Sequence, residues 1–161
     1  VAARSWGLCP AGEWLWGPEP MRWRRVFSGR ADQVTAARLF AASLFAGTGR
    51  EEDVAVVVAE LASNAVRHSR SGAEGGWFGL EVTLQDLSYI AITDLGGGCV
   101  PAIRSEQPGC EPQVNGRGLL VVSSLALSVG IHGSPPLGHT VWADMDLRSG
   151  SRTNQGAALA S

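Results

Sequence analysis

The chain contains no lysine; all 13 of its basic residues are arginine. A P-loop is therefore excluded, and no Gly-x-x-x-x-Gly-Lys-Ser/Thr sequence occurs. Any phosphate clamp must be built from arginine, backbone amides or a metal. Positive charge is also scarce in total. The formal net charge is −2 and the pI is near 5.9, which removes the electrostatic basis for nucleic acid or an anionic membrane as a direct partner. No apolar run approaches the roughly 20 residues that span a bilayer. Trp, Gly, Pro and Glu interrupt the first 20 residues, so no signal-peptide pattern is expected there. Cysteine is limited to Cys9, Cys99 and Cys110, an odd number with no Cys-x-x-Cys pair. The simplest expectation is three reduced thiols in a cytoplasmic protein, with a Cys99–Cys110 bridge as the alternative. Charged residues are only 17% against 45% hydrophobic, and 161 residues suit one domain with a sizeable core.

Composition changes along the chain. Residues 1–20 hold Trp6, Trp14 and Trp16 among Gly and Pro without a period, and read as a flexible extension or a partner-binding arm. Met21, just before the first strand, is a candidate for the true start. A folded domain is expected over 21–147, and residues 148–161 read as a flexible tail. Within the domain, Trp23–Phe27 reads as a strand. Val34, Ala37, Ala41, Leu44 and Phe45 define one face of a helix over 31–46. A second helix is expected over 51–69, with Glu51, Glu52 and Asp53 at its start and Arg67 and His68 near its end, an order that suits the helix dipole. Leu80–Gln85 and Tyr89–Thr93 alternate as a hairpin with one buried face. Residues 99–115 contain Pro101, Pro108, Gly109 and Pro112 without a period and form a candidate lid. A third helix opens at Gly116-Arg117-Gly118 and runs to about Ser128, followed by strands over 128–132 and 140–147. Helices in runs beside an antiparallel-rich sheet predict an α/β protein: a two-layer sandwich whose mixed, mostly antiparallel sheet carries three helices on one face.

The second helix contains Glu60, Asn64 and His68 at four-residue steps. Each step turns roughly 40° around the helix, so the three project from one side. That side borders the apolar stripe of Val54, Val57, Val58, Leu61 and Ala65. Polar groups there are costly to bury unless they serve as the floor of a site. Taken singly, Asn64 could satisfy backbone groups in mid-helix, and His68 could cap the helix end or contact phosphate. A zinc site on this triple fits poorly, because an amide is a weak zinc ligand. Asp94 ends a strand before Leu95 and three glycines, the pattern of a turn or of a ligand contact. Gly116-Arg117-Gly118 opens a helix, where free N–H groups attract phosphate. Arg117 is the best candidate for a charged phosphate contact by position. Thr140 follows Gly138 and His139 and is on its own an ordinary strand residue.

Together, Glu60…Asn64…His68, Asp94-Leu-Gly-Gly-Gly98, Gly116-Arg-Gly-Leu119 and Gly138-His-Thr140 resemble the motifs of the histidine-kinase-like ATPase superfamily, whose nucleotide site is called the Bergerat fold. The resemblance covers roughly residues 22–146 and looks closest to bacterial anti-sigma-factor serine/threonine kinases. It implies ATP and Mg2+ as cofactors, Asn64 as the metal ligand, and Glu60 as the general base. A carboxylate is a weak base toward a serine hydroxyl, so Glu60 would orient the acceptor and take its proton late. Asp94 would accept a hydrogen bond from the adenine amino group, as an acceptor-only group selects an amino edge. His68, Gly96, Gly98, Gly116, Arg117, Gly118, Leu119 and Thr140 would complete the nucleotide site, Thr140 through hydrogen bonds to adenine. A further glycine is usual in the family near position 120, where this chain has Leu120. The resemblance implies two partners, a sigma factor and an anti-sigma-antagonist domain that receives the γ-phosphate, with a homodimer as a further expectation. The alternatives are an ATP-sensing binding module without transfer, or the catalytic domain of a split histidine kinase.

Overall fold

The computed structural model describes residues 20–98 and 117–148. The expected extension, lid and tail, all three cysteines and Gly116 lie outside them. The described elements run β1 (Arg22–Ser28), α1 (Ala31–Leu44), α2 (Glu51–His68), a short 3-10 turn (Arg70–Gly72), β2 (Trp77–Thr83), β3 (Leu87–Thr93), α3 (Arg117–Leu125), β4 (Ser128–Ser134) and β5 (Gly138–Asp146). The five strands form one sheet in the order β1-β2-β3-β5-β4. Every pairing among them is antiparallel, in line with the mostly antiparallel sheet expected from the sequence. The three helices pack on one face, which makes the two-layer α/β sandwich. Among the described residues no helix is long and apolar enough to cross a membrane.

Periodicity explains the layers. In α2, Val54, Val57, Val58, Leu61, Ala62 and Ala65 recur at helical spacing and are all buried. Ala37 and Ala41 of α1 are fully buried, and their small side chains let α1 approach α2 closely. The sheet answers with alternate residues: Phe27, Phe78, Leu80, Val82, Ile90, Ile92, Val141, Ala143 and Met145 enter the core. Each large side chain among them contributes on the order of 1.5–3 kcal/mol by leaving water. The other face of the sheet, away from the helices, bears Arg22, Arg24, Val26, Trp77, Thr93, Thr140 and Trp142, all exposed or half-buried.

Strand β2 begins earlier than its alternation suggests, at Trp77 rather than Leu80, and ends at Thr83 rather than Gln85. The reason is its pairing with β1, which matches Ser28 to Trp77 and Phe27 to Phe78. The Phe27 and Phe78 rings stack there with centroids 5.5 Å apart.

Arg50, the residue before α2, is only 2% exposed. Its guanidinium pairs with Asp53 at 2.8 Å and donates to the carbonyls of Asp146 at 3.1 Å and Leu125 at 2.9 Å. It thereby ties the start of α2 to the end of α3 and the end of β5. With its carboxyl end pinned, α3 lies along α2, and its amino end reaches the middle of that helix.

Candidate functional site

The amino end of α3 meets the polar side of α2 at Gly118. A Cβ placed there would sit 2.5 Å from Glu60 Oε2 and 3.8 Å from Asn64 Nδ2. Glycine is what allows the helix to begin against these two side chains. Both are half-buried, and neither makes a hydrogen bond among the described residues. The first N–H groups of α3 have no partner within the helix, so backbone donors and a positive dipole end face a carboxylate and a carboxamide.

Asp94 lies just beyond β3 and is 7% exposed. One carboxylate oxygen, Oδ1, accepts the N–H of Gly96 at 2.6 Å and the N–H of His139 at 3.0 Å. The other oxygen has no protein partner among the described residues. The Asp94 N–H in turn donates to the His139 carbonyl at 2.8 Å. These bonds hold the carboxylate in one orientation and leave one of its oxygens available.

The turn that follows is clamped from two sides. The Ser71 hydroxyl accepts the Leu95 N–H at 3.0 Å. The Arg70 guanidinium donates to the Leu95 carbonyl at 2.7 Å and to the Pro136 carbonyl at 2.9 Å. The Arg70 N–H reaches the Gly96 carbonyl at 2.7 Å, and the Gly97 N–H reaches the Pro135 carbonyl at 2.7 Å. Gly96 has φ +68°, and a side chain there would strike the Pro135 carbonyl. Gly98 rests against the carbonyl of His68. The end of α2 and the Asp94 turn are thus in direct contact.

The structure sets Gly118 against Glu60 and Asn64, and holds Asp94, Gly96 and Gly98 in one turn beside the end of α2. His68 is the last residue of α2; its carbonyl backs the turn, while its imidazole is exposed and makes no hydrogen bond or ion pair among the described residues. The Leu119 side chain is 3% exposed and belongs to the hydrophobic core, so only its backbone is left for a ligand. Arg117 begins α3, but its side chain, like Gly116, lies outside what is described. Thr140 stands apart from the rest. It pairs with Thr93, and the two hydroxyls share a 2.8 Å hydrogen bond on the face of the sheet away from the helices. Successive strand residues face opposite ways, so Asp94 and His139 face the helices while Thr93 and Thr140 face away. The expectation that Thr140 joins Asp94 at the site is corrected by this register. The sequence does not single out Arg70 or Ser71, and His139 enters it only as the middle of the Gly138-His-Thr140 motif. An arginine among Ser and Gly reads as surface, and the strand parity that selects His139 is not visible without the β3–β5 register.

The histidine kinase-like ATPase domain family matches residues 27–145 of the chain. The chain belongs to this family. No curated protein matches it. The matched range begins in β1 and ends in β5, so the histidine kinase-like ATPase domain comprises the whole sandwich. Membership implies ATP binding, and the residues fit that ligand. Glycine replaces side chains where α3 meets Glu60 and Asn64, and an acceptor oxygen remains free at Asp94. Among the described residues no three His, Cys, Asp or Glu side chains converge as a metal cluster. A metal held near Asn64 and Glu60 would therefore be completed by phosphate and water oxygens, the habit of magnesium.

Proposed function

We propose that the protein is an ATP- and magnesium-dependent serine/threonine protein kinase that controls a sigma factor. It holds the sigma factor inactive and transfers the γ-phosphate of ATP to a Ser or Thr of an anti-sigma-antagonist domain. The observation that best supports a transferase is Glu60, a half-buried carboxylate without a hydrogen-bond partner among the described residues, beside Asn64 and the amino end of α3.

In this reading Asp94 selects the base through its free oxygen, and the N–H groups of α3 bind phosphate oxygens. Asn64 offers its amide oxygen to magnesium, which when bound neutralises phosphate charge. Glu60 orients the acceptor hydroxyl and takes its proton as the hydroxyl oxygen bonds to the γ-phosphorus and ADP departs. Catalysis of this type rests on positioning and electrostatics. The product phosphate adds a charge of about −1.5 to −2 to the antagonist, which repels it from an acidic partner.

Radiolabelled ATP incubated with the protein and candidate antagonist domains tests the proposal. Acid-stable label on Ser or Thr is the expected result, and Glu60→Ala is expected to retain nucleotide while losing transfer. Acid-labile label on a separate protein would establish a split histidine kinase instead. Nucleotide binding without transfer to any antagonist would establish a sensing module. Full transfer by Glu60→Ala would remove Glu60 from the chemistry.

A further inference from the structure

Arg70 lies in the 3-10 turn after α2 and is exposed. It forms no ion pair among the described residues; its guanidinium donates to backbone carbonyls instead. Nε and Nη2 donate to the Leu95 carbonyl at 3.1 and 2.7 Å, and Nη2 also donates to the Pro136 carbonyl at 2.9 Å. Leu95 belongs to the turn after β3, and Pro136 to the turn between β4 and β5. Arg70 therefore links the two turns. Pro135 and Pro136 carry no N–H, so at these positions the second turn can be tied only through its carbonyls. The Pro135 carbonyl accepts the Gly97 N–H, and the Pro136 carbonyl accepts Arg70. The Arg70 stem runs against Gly97, where a Cβ would lie 2.6 Å from its Cγ. Hydrogen bonds from a charged donor are stronger than those between neutral groups, so this tie is firm for a surface contact.

Asp94 draws on both turns. Its Oδ1 accepts the N–H of Gly96, from the first turn, and the N–H of His139, which follows the second. One oxygen held from two directions fixes the plane of the carboxylate, and with it the direction of the other oxygen. If the turns part, the His139 bond lengthens and the carboxylate pivots about the Gly96 bond alone. We propose that Arg70 is a positioning residue for nucleotide binding: its guanidinium sets the spacing of the two turns and so aims Asp94 Oδ2. Arg70 makes no bond to Asp94 itself and acts through the backbone. This rests on the reading of Asp94 as the base-binding carboxylate. A planar fork suits the task, since it holds two acceptors at a set separation where an ammonium is only a point charge. A carboxylate aimed in advance loses less freedom when a ligand arrives.

Arg70→Met keeps an unbranched stem against Gly97 and removes the fork, at an exposed position that folding tolerates. Calorimetry with ADP and magnesium on wild type, Arg70→Met, Asp94→Asn and the double variant tests the proposal. Arg70→Met should weaken ADP about tenfold. In the Asp94→Asn background the same replacement should weaken it less than about twofold, because the carboxylate that Arg70 aims is already gone. A staple that serves stability alone would leave the affinity of folded protein unchanged. A direct attraction between Arg70 and phosphate would cost the same factor in both backgrounds. Either result overturns the proposal. Affinity unchanged by Asp94→Asn would overturn the base-binding reading and with it the use of the clamp. Hydrogen exchange of the Gly96 and His139 amides, measured without nucleotide, separates that failure from failure of the clamp itself. Arg70→Met should speed exchange at both by about tenfold or more while amides of the sheet core keep their protection. Unchanged protection at Gly96 and His139 overturns the proposal whatever the affinities show.

Discussion

Replacing Asp94 with asparagine separates a ligand contact from a turn former. In the wild type one oxygen serves the protein, accepting the Gly96 and His139 N–H groups, and the other serves no protein group among the described residues. The asparagine amide can keep its oxygen on the two N–H donors, which places its NH2 where the free oxygen was. The turn then survives with neutral in place of charged hydrogen bonds, at an expected loss of about 1–2 kcal/mol in unfolding free energy. The base amino group, in contrast, meets a donor instead of an acceptor. A lost charge-assisted hydrogen bond is worth about 1.5–3 kcal/mol, or about 10- to 140-fold in Kd. Calorimetry with magnesium and ADP, paired with urea unfolding of the same samples, measures both quantities. Asp94→Ala is the contrasting control. It strands two buried N–H groups at about 1–3 kcal/mol each and should damage the fold as well as the site. A folded Asp94→Asn protein whose ADP affinity lies within about threefold of wild type, less than 0.7 kcal/mol, would refute the reasoning and reduce Asp94 to a turn residue.

Three further outcomes are expected. Gly118→Ala places a methyl against Glu60 and Asn64; the gain in helix propensity, about 1 kcal/mol, should offset the strain in stability, while ADP affinity falls at least about fivefold, about 1 kcal/mol. Unchanged affinity would show that the amino end of α3 is not at the nucleotide. Arg50→Met leaves the buried Asp53 carboxylate without its ion-pair partner and should cost about 3–5 kcal/mol in urea unfolding; Arg50→Met with Asp53→Leu should recover part of it, and a loss under 1 kcal/mol for the single variant would refute the anchor. Asp32 is held below its ordinary 3.8 by hydrogen bonds from Arg30 and Gln33, and Glu51 below its ordinary 4.5 by backbone N–H groups including that of Gly47. With the folded-state values depressed, their stabilisation is present above those ordinary values and is lost as pH falls through the lower folded ones. Asp32→Asn with Glu51→Gln should therefore flatten the loss of stability between about pH 4.5 and 2, and an identical acid limb in both proteins would contradict this.

Some of this protein was legible residue by residue because the relevant geometry is local. Four-residue spacing places Glu60 and Asn64 on one side of a helix whatever surrounds it, and an apolar stripe of Val54, Val57, Val58 and Leu61 states which side faces the core. Alternation in Leu80–Val82 and Tyr89–Thr93 likewise announces strands with one buried face. The order of helices and strands, and hence the sandwich, follows from these short-range periods.

Other features depend on partners far away in the chain. The start of β2 at Trp77 is set by pairing with Ser28, and neither segment contains the information alone. Arg50 and Arg70 look like surface cations in sequence; one is buried under three elements and the other bridges two loops, because carbonyls of Leu125, Asp146, Leu95 and Pro136 converge on them. The choice between His139 and Thr140 is the clearest case. Adjacent strand residues differ only in which face they occupy, and a one-residue slip exchanges them. The sequence alone determined that a polar helix side, a strand-end aspartate and a glycine-led helix exist, since backbone geometry repeats every few residues. Tertiary structure alone decided that Gly118 abuts Glu60 and that His139 shares a face with Asp94, since strand register and helix docking are settled by packing between residues some 45 to 60 positions apart.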